Sequence, residues 1–296
     1  MNIEWNHDYN NIIPSNNNPI IIYKDTYYNF FYYKKNPNVI VFDMDETLGS
    51  FIDLNILWKY LKNKIEFNKL LDLYPEFLRY GILCILNFIY KKKIKGRCNK
   101  LFIYTNNICF YEFVDLISNY FSYKLGILPN KPVLFDRIIR SFKINNKIIE
   151  INRTTQEKIY SDFIKCTLLP NNTEICFIDN SYFPLMKNSR VYYIQPLSYH
   201  HHLSKEQIIS RILNINLEES EIQNIYNNLY TFKKSEIINY NDYIFNKKKI
   251  DIYVAEKLMY HIKYFFYLTR KNIKTKKKYK LISKFTRKNK GTYGSL

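Results

Sequence analysis

The sequence has few cysteines, no long apolar run and no amino-terminal targeting pattern. Its five cysteines are scattered and never stand in C-x-x-C spacing, which argues against a disulfide framework and against a zinc cluster. The longest apolar run, around residues 80–90, contains Asn87 and is shorter than the about 20 residues of a membrane span. No basic stretch followed by an apolar one opens the chain. These absences predict an intracellular protein, in the cytoplasm or the nucleus, without a membrane span.

Acidic residues are missing from the end of the chain. Residues 270–296 contain eleven Lys or Arg and no Asp or Glu, whereas the whole chain has a formal charge of +19. The remaining residues carry 34 basic and 26 acidic side chains, or +8, so the tail is the basic part. Such a tail can bind nucleic acid or an anionic surface. It can equally be a disordered, solvated segment, and the sequence leaves both readings open.

Short apolar strands alternate with helical patterns through the middle of the chain. Strands are predicted at residues 39–42, 101–104, 174–178 and 191–194, and a possible edge strand at 19–23. Helical spacing is predicted in the segments between them, at residues 54–61, 70–78, 82–90, 111–123, 137–142 and 155–168. Strands separated by crossovers of this length predict an α/β fold with a mostly parallel sheet covered on both faces.

The same pattern predicts the order of the parts. Residues 1–36 form an extended lead-in, and 37–200 form a three-layer, Rossmann-like domain with a mainly helical insertion at about 50–97. Residues 201–269 form a small helical region, and 270–296 form the basic tail, which we expect to be disordered.

Polar residues follow three of the predicted strands. Asp43 and Asp45 leave the first strand, Thr105 follows the second, and Asp179 and Asn180 follow the third. Ligands bind at the carboxyl ends of strands in open parallel sheets, so we expect these residues to share a site.

An ionised aspartate can attack phosphorus. The aspartate and a phosphate group are both negatively charged, however. One pair of like charges 4 Å apart repels by about 4 kcal/mol at an effective dielectric constant of 20. Cations are therefore required, and Mg²⁺ is the natural one because it takes oxygen ligands.

These residues resemble the motifs of the haloacid-dehalogenase-like (HAD-like) phosphatase superfamily, over about residues 37–196. The segment Asp43-Met-Asp-Glu-Thr-Leu48 is similar to the first motif of its carboxy-terminal-domain phosphatase branch, the NLI-interacting-factor-like group. Asp179-Asn-Ser181 is similar to the fourth motif. Four further segments resemble the versions of this phosphatase that large DNA viruses encode: Tyr74–Arg79, Tyr104–Asn107, Phe135–Ile139 and Phe163–Cys166.

The resemblance implies a role for each residue. Asp43 is the nucleophile, and Asp45 is the general acid and base. Thr105 and Lys158 bind the phosphoryl group, with Lys165 as an alternative to Lys158. Thr47 orients Asp45 and its loop.

The resemblance also implies a Mg²⁺ site. Its ligands are the side chain of Asp43, that of either Asp179 or Asn180, and the backbone carbonyl of Asp45. Gly49 then lets the chain turn away from this site.

The expected activity is Mg²⁺-dependent hydrolysis of phosphomonoesters through an aspartyl-phosphate, acting on phosphoserine or phosphothreonine in proteins. Two alternatives stay open. One is a phosphatase of nucleotides or polynucleotide ends, which the basic tail would suit. The other is a catalytically silent HAD-fold binding module that holds nucleic acid through the tail. The insertion also reads as helical where cellular relatives tend to have a β insertion that grips the peptide, so the mode of substrate recognition does not follow from the resemblance.

Overall fold

A computed structural model of the chain describes residues 14–23, 37–109, 111–237 and 239–288. Most of the predicted lead-in (1–13 and 24–36) and the last part of the basic tail (289–296) lie outside these ranges. The strands are β1 (Ile20–Tyr23), β2 (Asn38–Phe42), β3 (Lys100–Tyr104), β4 (Arg137–Ile139), β5 (Lys143–Ile144), β6 (Lys147–Ile148), β7 (Glu174–Ile178) and β8 (Val191–Pro196).

Six of these strands form the central sheet, in the order β1-β8-β7-β2-β3-β4. β1 pairs antiparallel with β8 at one edge, and the other neighbours are parallel. The predicted mostly parallel α/β sheet and its edge strand are therefore confirmed. β5 and β6 form a separate antiparallel hairpin.

The direction in which strands are added reverses at β2. The chain places β3 and β4 on one side of β2, and β7 and β8 on the other. Phe42, the last residue of β2, pairs with Ile103 of β3 and with Ile178 of β7, so the three strands end at nearly the same level. A reversal of this kind opens a crevice at the carboxyl ends of the strands, which is where doubly wound sheets bind ligands.

β2 is buried on both faces of the sheet because its apolar residues alternate between two cores. Ile40 and Phe42 belong to the larger core, and Val39 and Val41 belong to the smaller one. The helices are α1 (Ile52–Leu61), α2 (Phe67–Asp72), α3 (Ile82–Ile94), α4 (Tyr111–Lys124), α5 (Tyr160–Thr167), α6 (Lys205–Ser210), α7 (Glu219–Asn228) and α8 (Tyr240–Lys288). α5 contributes Phe163 and Cys166 to the smaller core, whereas the larger core contains residues of the other helices.

The region between β2 and β3 is helical, as predicted. It contains α1, α2, a 3-10 turn at Pro75–Phe77 and α3. Leu54, Leu57 and Leu61 are fully buried on one side of α1, which explains their three- and four-residue spacing.

The carboxy-terminal helices complete the larger core. Ser204 begins α6 with the predicted capping box, in which its side chain accepts from the backbone N–H of Gln207. On α8, Val254, Leu258 and Ile262 are buried, so this region packs on the sheet domain. α8 continues into the basic tail as far as Lys288, and the disorder of residues 270–296 stays a prediction. Along the described ranges, no helix has both the length and the apolar character needed to cross a bilayer.

Two predicted helices differ from the structure. Residues 137–142 are not helical, because Arg137–Ile139 pairs with β3 as the edge strand β4. A short apolar run has no periodicity that separates a strand from a helix. The helix predicted at 155–168 begins only at Tyr160, because the carbonyls of Gln156 and Glu157 accept hydrogen bonds from Arg153. Lys158 therefore lies in the loop before α5.

Candidate active site

Asp43, Lys158 and Asp179 meet at the carboxyl end of the sheet. The backbone N–H of Asp43 donates to the carbonyl of Ile178, which fixes it beside the end of β7. Lys158 Nζ lies 2.5 Å from Asp43 Oδ1 and 2.6 Å from Asp179 Oδ2. All three side chains are buried. The lysine thus joins the predicted nucleophile to the predicted metal ligand, whereas the alternative, Lys165, is exposed on α5.

Asp45 lies two residues further along and is half-buried. Its Oδ2 accepts a hydrogen bond of 2.9 Å from Asn107 Nδ2. Burial and then the charge of Asp43 raise the pKa of Asp45, and the hydrogen bond from Asn107 lowers it, with a net pKa of about 7. A carboxyl group with a pKa near neutrality is suited to both donating and accepting a proton at pH 7.

The site carries more negative than positive charge. Among the described residues, the carboxyl groups of Asp43, Asp45 and Asp179 lie around the ammonium of Lys158. Burial raises the pKa of Asp179 to about 7, with Lys158 lowering it and Asp43 raising it. The pKa of Lys158 lies above its ordinary value because the two carboxylates outweigh its burial. A further cation is the natural complement of this charge balance.

The donor set at this position fits Mg²⁺. Among the described residues, no three or more His, Cys, Asp or Glu side chains are grouped as a complete metal cage. Mg²⁺ seldom uses such a cage, however, because it keeps several waters and takes one or two carboxylates with substrate phosphate. Asp43 and Asp179, which lie on either side of one ammonium, form such a pair.

The side chain of Asn180 bonds to partners outside that pair. Its Oδ1 accepts from Thr47 Oγ1 at 2.9 Å, and its Nδ2 donates to Ser198 Oγ at 3.0 Å and to Glu46 Oε2 at 3.2 Å. Of the two predicted candidates, Asp179 is therefore the one whose carboxylate faces Asp43 through Lys158. Thr47, predicted to orient Asp45 and its loop, bonds to the side chain and the backbone N–H of Asn180, and its role toward Asp45 stays a prediction.

Thr105 is fully buried at the end of β3. Its Oγ1 accepts the backbone N–H of Asn107 at 2.9 Å, so the hydroxyl supports the turn that presents Asn107 to Asp45. A hydroxyl that accepts one hydrogen bond still has its own hydrogen to donate. The supporting contact is therefore compatible with the predicted contact to a phosphoryl oxygen.

Two buried arginines that the sequence did not single out hold the loops of the site. Arg79 donates to the backbone carbonyls of Glu46, Thr47 and Leu197. Glu46 has a positive φ of 56°, a conformation that is unfavourable for a residue with a side chain. Arg79 therefore fixes the turn that follows Asp45.

Arg153 ties together the loops that carry Thr105 and Lys158. Its guanidinium donates to the carbonyl of Thr105, to Asn106 Oδ1 and to the carbonyl of Gln156. Neither arginine has a sequence signal of its own, because most of its acceptors are backbone carbonyls, which every residue type carries.

Gly49 is required by close packing and not by the direction of the turn. A Cβ at this position would lie 2.4 Å from the carbonyl oxygen of Phe77 and 2.5 Å from the ring of Phe51. Gly49 therefore allows the loop after Asp45 to approach the end of the 3-10 turn, where its neighbour Ser50 donates to the Phe77 carbonyl. Gly49 is not among the glycines with a positive φ, so its missing side chain, and not a left-handed backbone, is what the chain uses here.

Comparisons with protein-family models, with curated proteins and with solved structures gave no match. An inference about the function of the site therefore rests on the order of the strands in the sheet, on the residues at the strand ends and on their contacts.

Replacing Asn107 by Ala tests the role of Asp45. The variant loses the hydrogen bond from Asn107 to Asp45. In the wild type this bond holds the carboxyl group of Asp45 in place and lowers its pKa. If the site hydrolyses phosphomonoesters with Asp45 as the acid, kcat should fall by about 10–100-fold. Steady-state kinetics with an aryl phosphate measure this. The exposed Asn224 on α7 provides the matched control, Asn224→Ala, and equal kinetics for both variants would contradict the role of Asn107.

Proposed function

We propose that the chain is a Mg²⁺-dependent phosphomonoester hydrolase that acts through Asp43, and that it is a divergent member of the HAD-like phosphatases. The observation that carries this proposal is the bridge from Lys158 Nζ to Asp43 and Asp179. It unites three residues that belong to three separate motifs of the resemblance. The position at the reversal point of a parallel sheet supports the same conclusion.

In the first step, a carboxylate oxygen of Asp43 attacks phosphorus, and the bond from phosphorus to the ester oxygen breaks. Protonated Asp45 gives its proton to the departing oxygen, so that an alcohol leaves instead of an alkoxide. The phosphoryl group is then bound to Asp43 as a mixed anhydride. Lys158 lies within ion-pair distance of Asp43 and offsets the negative charge that gathers there.

In the second step, water attacks the phosphorus of the aspartyl-phosphate. Asp45, now ionised, takes a proton from that water, and the bond from Asp43 to phosphorus breaks. Inorganic phosphate leaves, and Asp43 and Asp45 return to their starting states. Both roles of Asp45 suit its pKa of about 7, because neither protonation state is scarce near neutral pH.

Asp43 and Asp179 would hold the Mg²⁺, with the backbone carbonyl of Asp45 as the third protein ligand that the resemblance implies. The bound ion supplies positive charge against the repulsion between the phosphate and the nucleophile. We infer that the substrates are phosphoserine or phosphothreonine residues of proteins, as in the carboxy-terminal-domain phosphatase branch.

Removal of the metal tests the proposal directly. Treatment with EDTA should abolish release of phosphate from an aryl phosphate, and added Mg²⁺ should restore it, whereas Ca²⁺ should restore little because its coordination is larger and less regular. A colorimetric phosphate assay measures the rate. A rate that is unchanged by EDTA would contradict the proposal.

The substrate class needs a second assay on the same protein. We expect faster phosphate release from a phosphoserine peptide than from a mononucleotide or a 5′-phosphorylated oligonucleotide. Faster release from either nucleotide substrate would overturn the inferred substrate class while leaving the reaction type intact. Salt-dependent binding of an oligonucleotide without metal-dependent hydrolysis of any substrate would instead identify a silent binding module.

A further inference from the structure

A groove of about 560 Å³ is lined by chain segments that lead into the candidate active site. Its walls come from three segments: Ile108, residues 142–146 around the β5–β6 hairpin, and residues 154–156. This volume lies within the range of pockets that bind ligands, about 300–1,000 Å³. The groove is formed by segments of chain that follow β3 and precede α5, and it does not involve the helical insertion after β2.

Two of the three walls continue directly into the site. Ile108 follows Asn107, whose side chain binds Asp45. Gln156 stands two residues before Lys158, which binds Asp43 and Asp179. Two residues of extended chain span at most about 7 Å, so the wall at Gln156 lies within that length of chain from Lys158.

The walls are also held in place relative to each other. Gln156 Nε2 donates to Ser141 Oγ at 2.5 Å, and Gln156 Oε1 accepts from the backbone N–H of Lys143. Arg153 binds the carbonyl of Gln156 and that of Arg140. The groove is therefore pre-formed, which limits the entropy lost when a ligand binds.

The lining is polar but nearly uncharged. It combines apolar side chains (Ile108, Phe142 and Ile144) with the amides of Asn145, Asn146 and Gln156. Of the described residues that line it, Lys143 is the one that carries a charge. A polynucleotide carries a phosphate at each residue and needs several cations along its path, whereas side-chain amides offer both the donors and the acceptors that a peptide backbone needs.

The hairpin turn suits this use. Asn145 and Asn146 have positive φ angles of 49° and 62°, the left-handed pair that a two-residue hairpin turn requires and that Asn tolerates. Both side chains are exposed and therefore accessible to a ligand. Ile144 is half-buried beside them and offers an apolar contact.

We propose that this groove binds the polypeptide that flanks the phosphorylated residue of the substrate. The inference rests on the proposed function, because it assigns the substrate class to the same site. An extended peptide lies along the hairpin with its phosphorylated side chain directed at Asp43, its backbone bonded by the amides and an apolar residue against Ile144. The peptide is thus held by the β5–β6 hairpin, which lines the groove, and not by the helical insertion after β2, which does not line it.

Kinetics on the full chain test the groove. The variant Ile144→Ala/Asn146→Gly removes an apolar contact and an amide, and glycine keeps the left-handed turn. We expect the ratio of kcat/KM for a ten-residue phosphoserine peptide library to kcat/KM for an aryl phosphate to fall at least tenfold. Ile148→Ala is the matched control, since Ile148 is exposed on the same hairpin but does not line the groove. Its ratio should stay within about twofold of the wild-type value.

Binding measured without turnover separates this inference from the proposed function. Fluorescence anisotropy of the same labelled peptide library on Asp43→Asn protein should show weaker binding when the groove substitutions are added. If the wild type hydrolyses no aryl phosphate but the substitutions still weaken peptide binding, the proposed function is wrong and the groove assignment holds. An unchanged ratio together with unchanged binding would overturn the groove. Loss confined to a 5′-phosphorylated oligonucleotide would also overturn it, in favour of a nucleic-acid groove.

Discussion

Replacing Asp43 by Asn is expected to lower kcat for an aryl phosphate by about 1,000-fold or more, because an amide cannot form the bond to phosphorus. The fold should survive. Asn has the same shape, its Oδ1 can still accept from Lys158, and the substitution removes one of three crowded carboxylates. Steady-state kinetics and urea unfolding of the same preparation measure the two effects, and the free energy of unfolding should change by no more than about 1 kcal/mol.

A carboxylate outside the site provides the control for Asp43. Asp136 forms ion pairs with Lys93 and Lys100 and accepts a hydrogen bond from the backbone N–H of Leu101. These contacts lie at the amino end of β3, opposite to the end that carries the site. Asp136→Asn should lower the stability by about 1 kcal/mol while kcat stays close to the wild-type value. The nucleophile assignment would be refuted if Asp43→Asn and Asp136→Asn had similar kcat values.

Replacing Lys158 by Ala is expected to have the largest effect on stability. Asp43 and Asp179 would keep their buried positions but lose the ammonium between them. Removing one partner of a buried ionic group costs about 3–5 kcal/mol, because the remaining charge is left uncompensated. Activity should also fall by at least about 100-fold, since the phosphoryl group loses its positive partner. Urea unfolding in the presence of EDTA measures the loss of stability.

The loss in Lys158→Ala should depend on pH with a definite sign. The pKa of Asp179 is already raised to about 7 in the folded wild type and rises further without the lysine. A carboxyl group whose pKa is higher in the folded than in the unfolded protein destabilises the fold as the pH rises. The variant should therefore be less destabilised at pH 5, where the group is protonated, than at pH 8.

Lys165→Ala is the matched control for Lys158. Lys165 is the same residue type, seven positions along the chain, but its side chain is exposed on α5. We expect its stability to change by less than about 0.5 kcal/mol and its kcat to stay near that of the wild type. If Lys165→Ala lowered the stability and kcat strongly and Lys158→Ala lowered them weakly, Lys165 and not Lys158 would be the lysine that binds the phosphoryl group.

The sequence was sufficient to predict the strands that matter most for the site. The apolar runs before Asp43, Thr105 and Asp179 are buried on both faces of the sheet, and such strands read as continuous β-branched or aromatic stretches. Their polar ends then had to converge, because parallel neighbours finish on the same edge. Local pattern and topology agree at these positions.

The errors lie where contacts from outside a predicted element override its local pattern. Residues 155–159 have helical character, but Arg153 occupies the carbonyls of Gln156 and Glu157 and delays the helix to Tyr160. The strand Arg137–Ile139 is only three residues long and is defined by its pairing with β3. Neither event is visible in the residues themselves.

The loop supports were missed for the same reason. Arg79 reaches Thr47 and Leu197 across separations of 32 and 118 residues, and no spacing rule connects such positions. Asn107 belongs to the turn after β3 that the sequence predicts. The residues next to it in the chain, however, do not indicate that its side-chain amide donates to Asp45. Spacing finds the residues at strand ends, whereas only the folded chain shows what holds them.

The central claim is that Asp43 is phosphorylated during turnover. The most direct test is to quench the full chain rapidly with acid during hydrolysis of an aryl phosphate and to identify the modified residue by mass spectrometry after borohydride reduction of the acyl phosphate. The account predicts that Asp43 is reduced to homoserine in this sample and not in one without substrate. Continued release of phosphate with no modification at Asp43, in a sample that contains Mg²⁺, would contradict it.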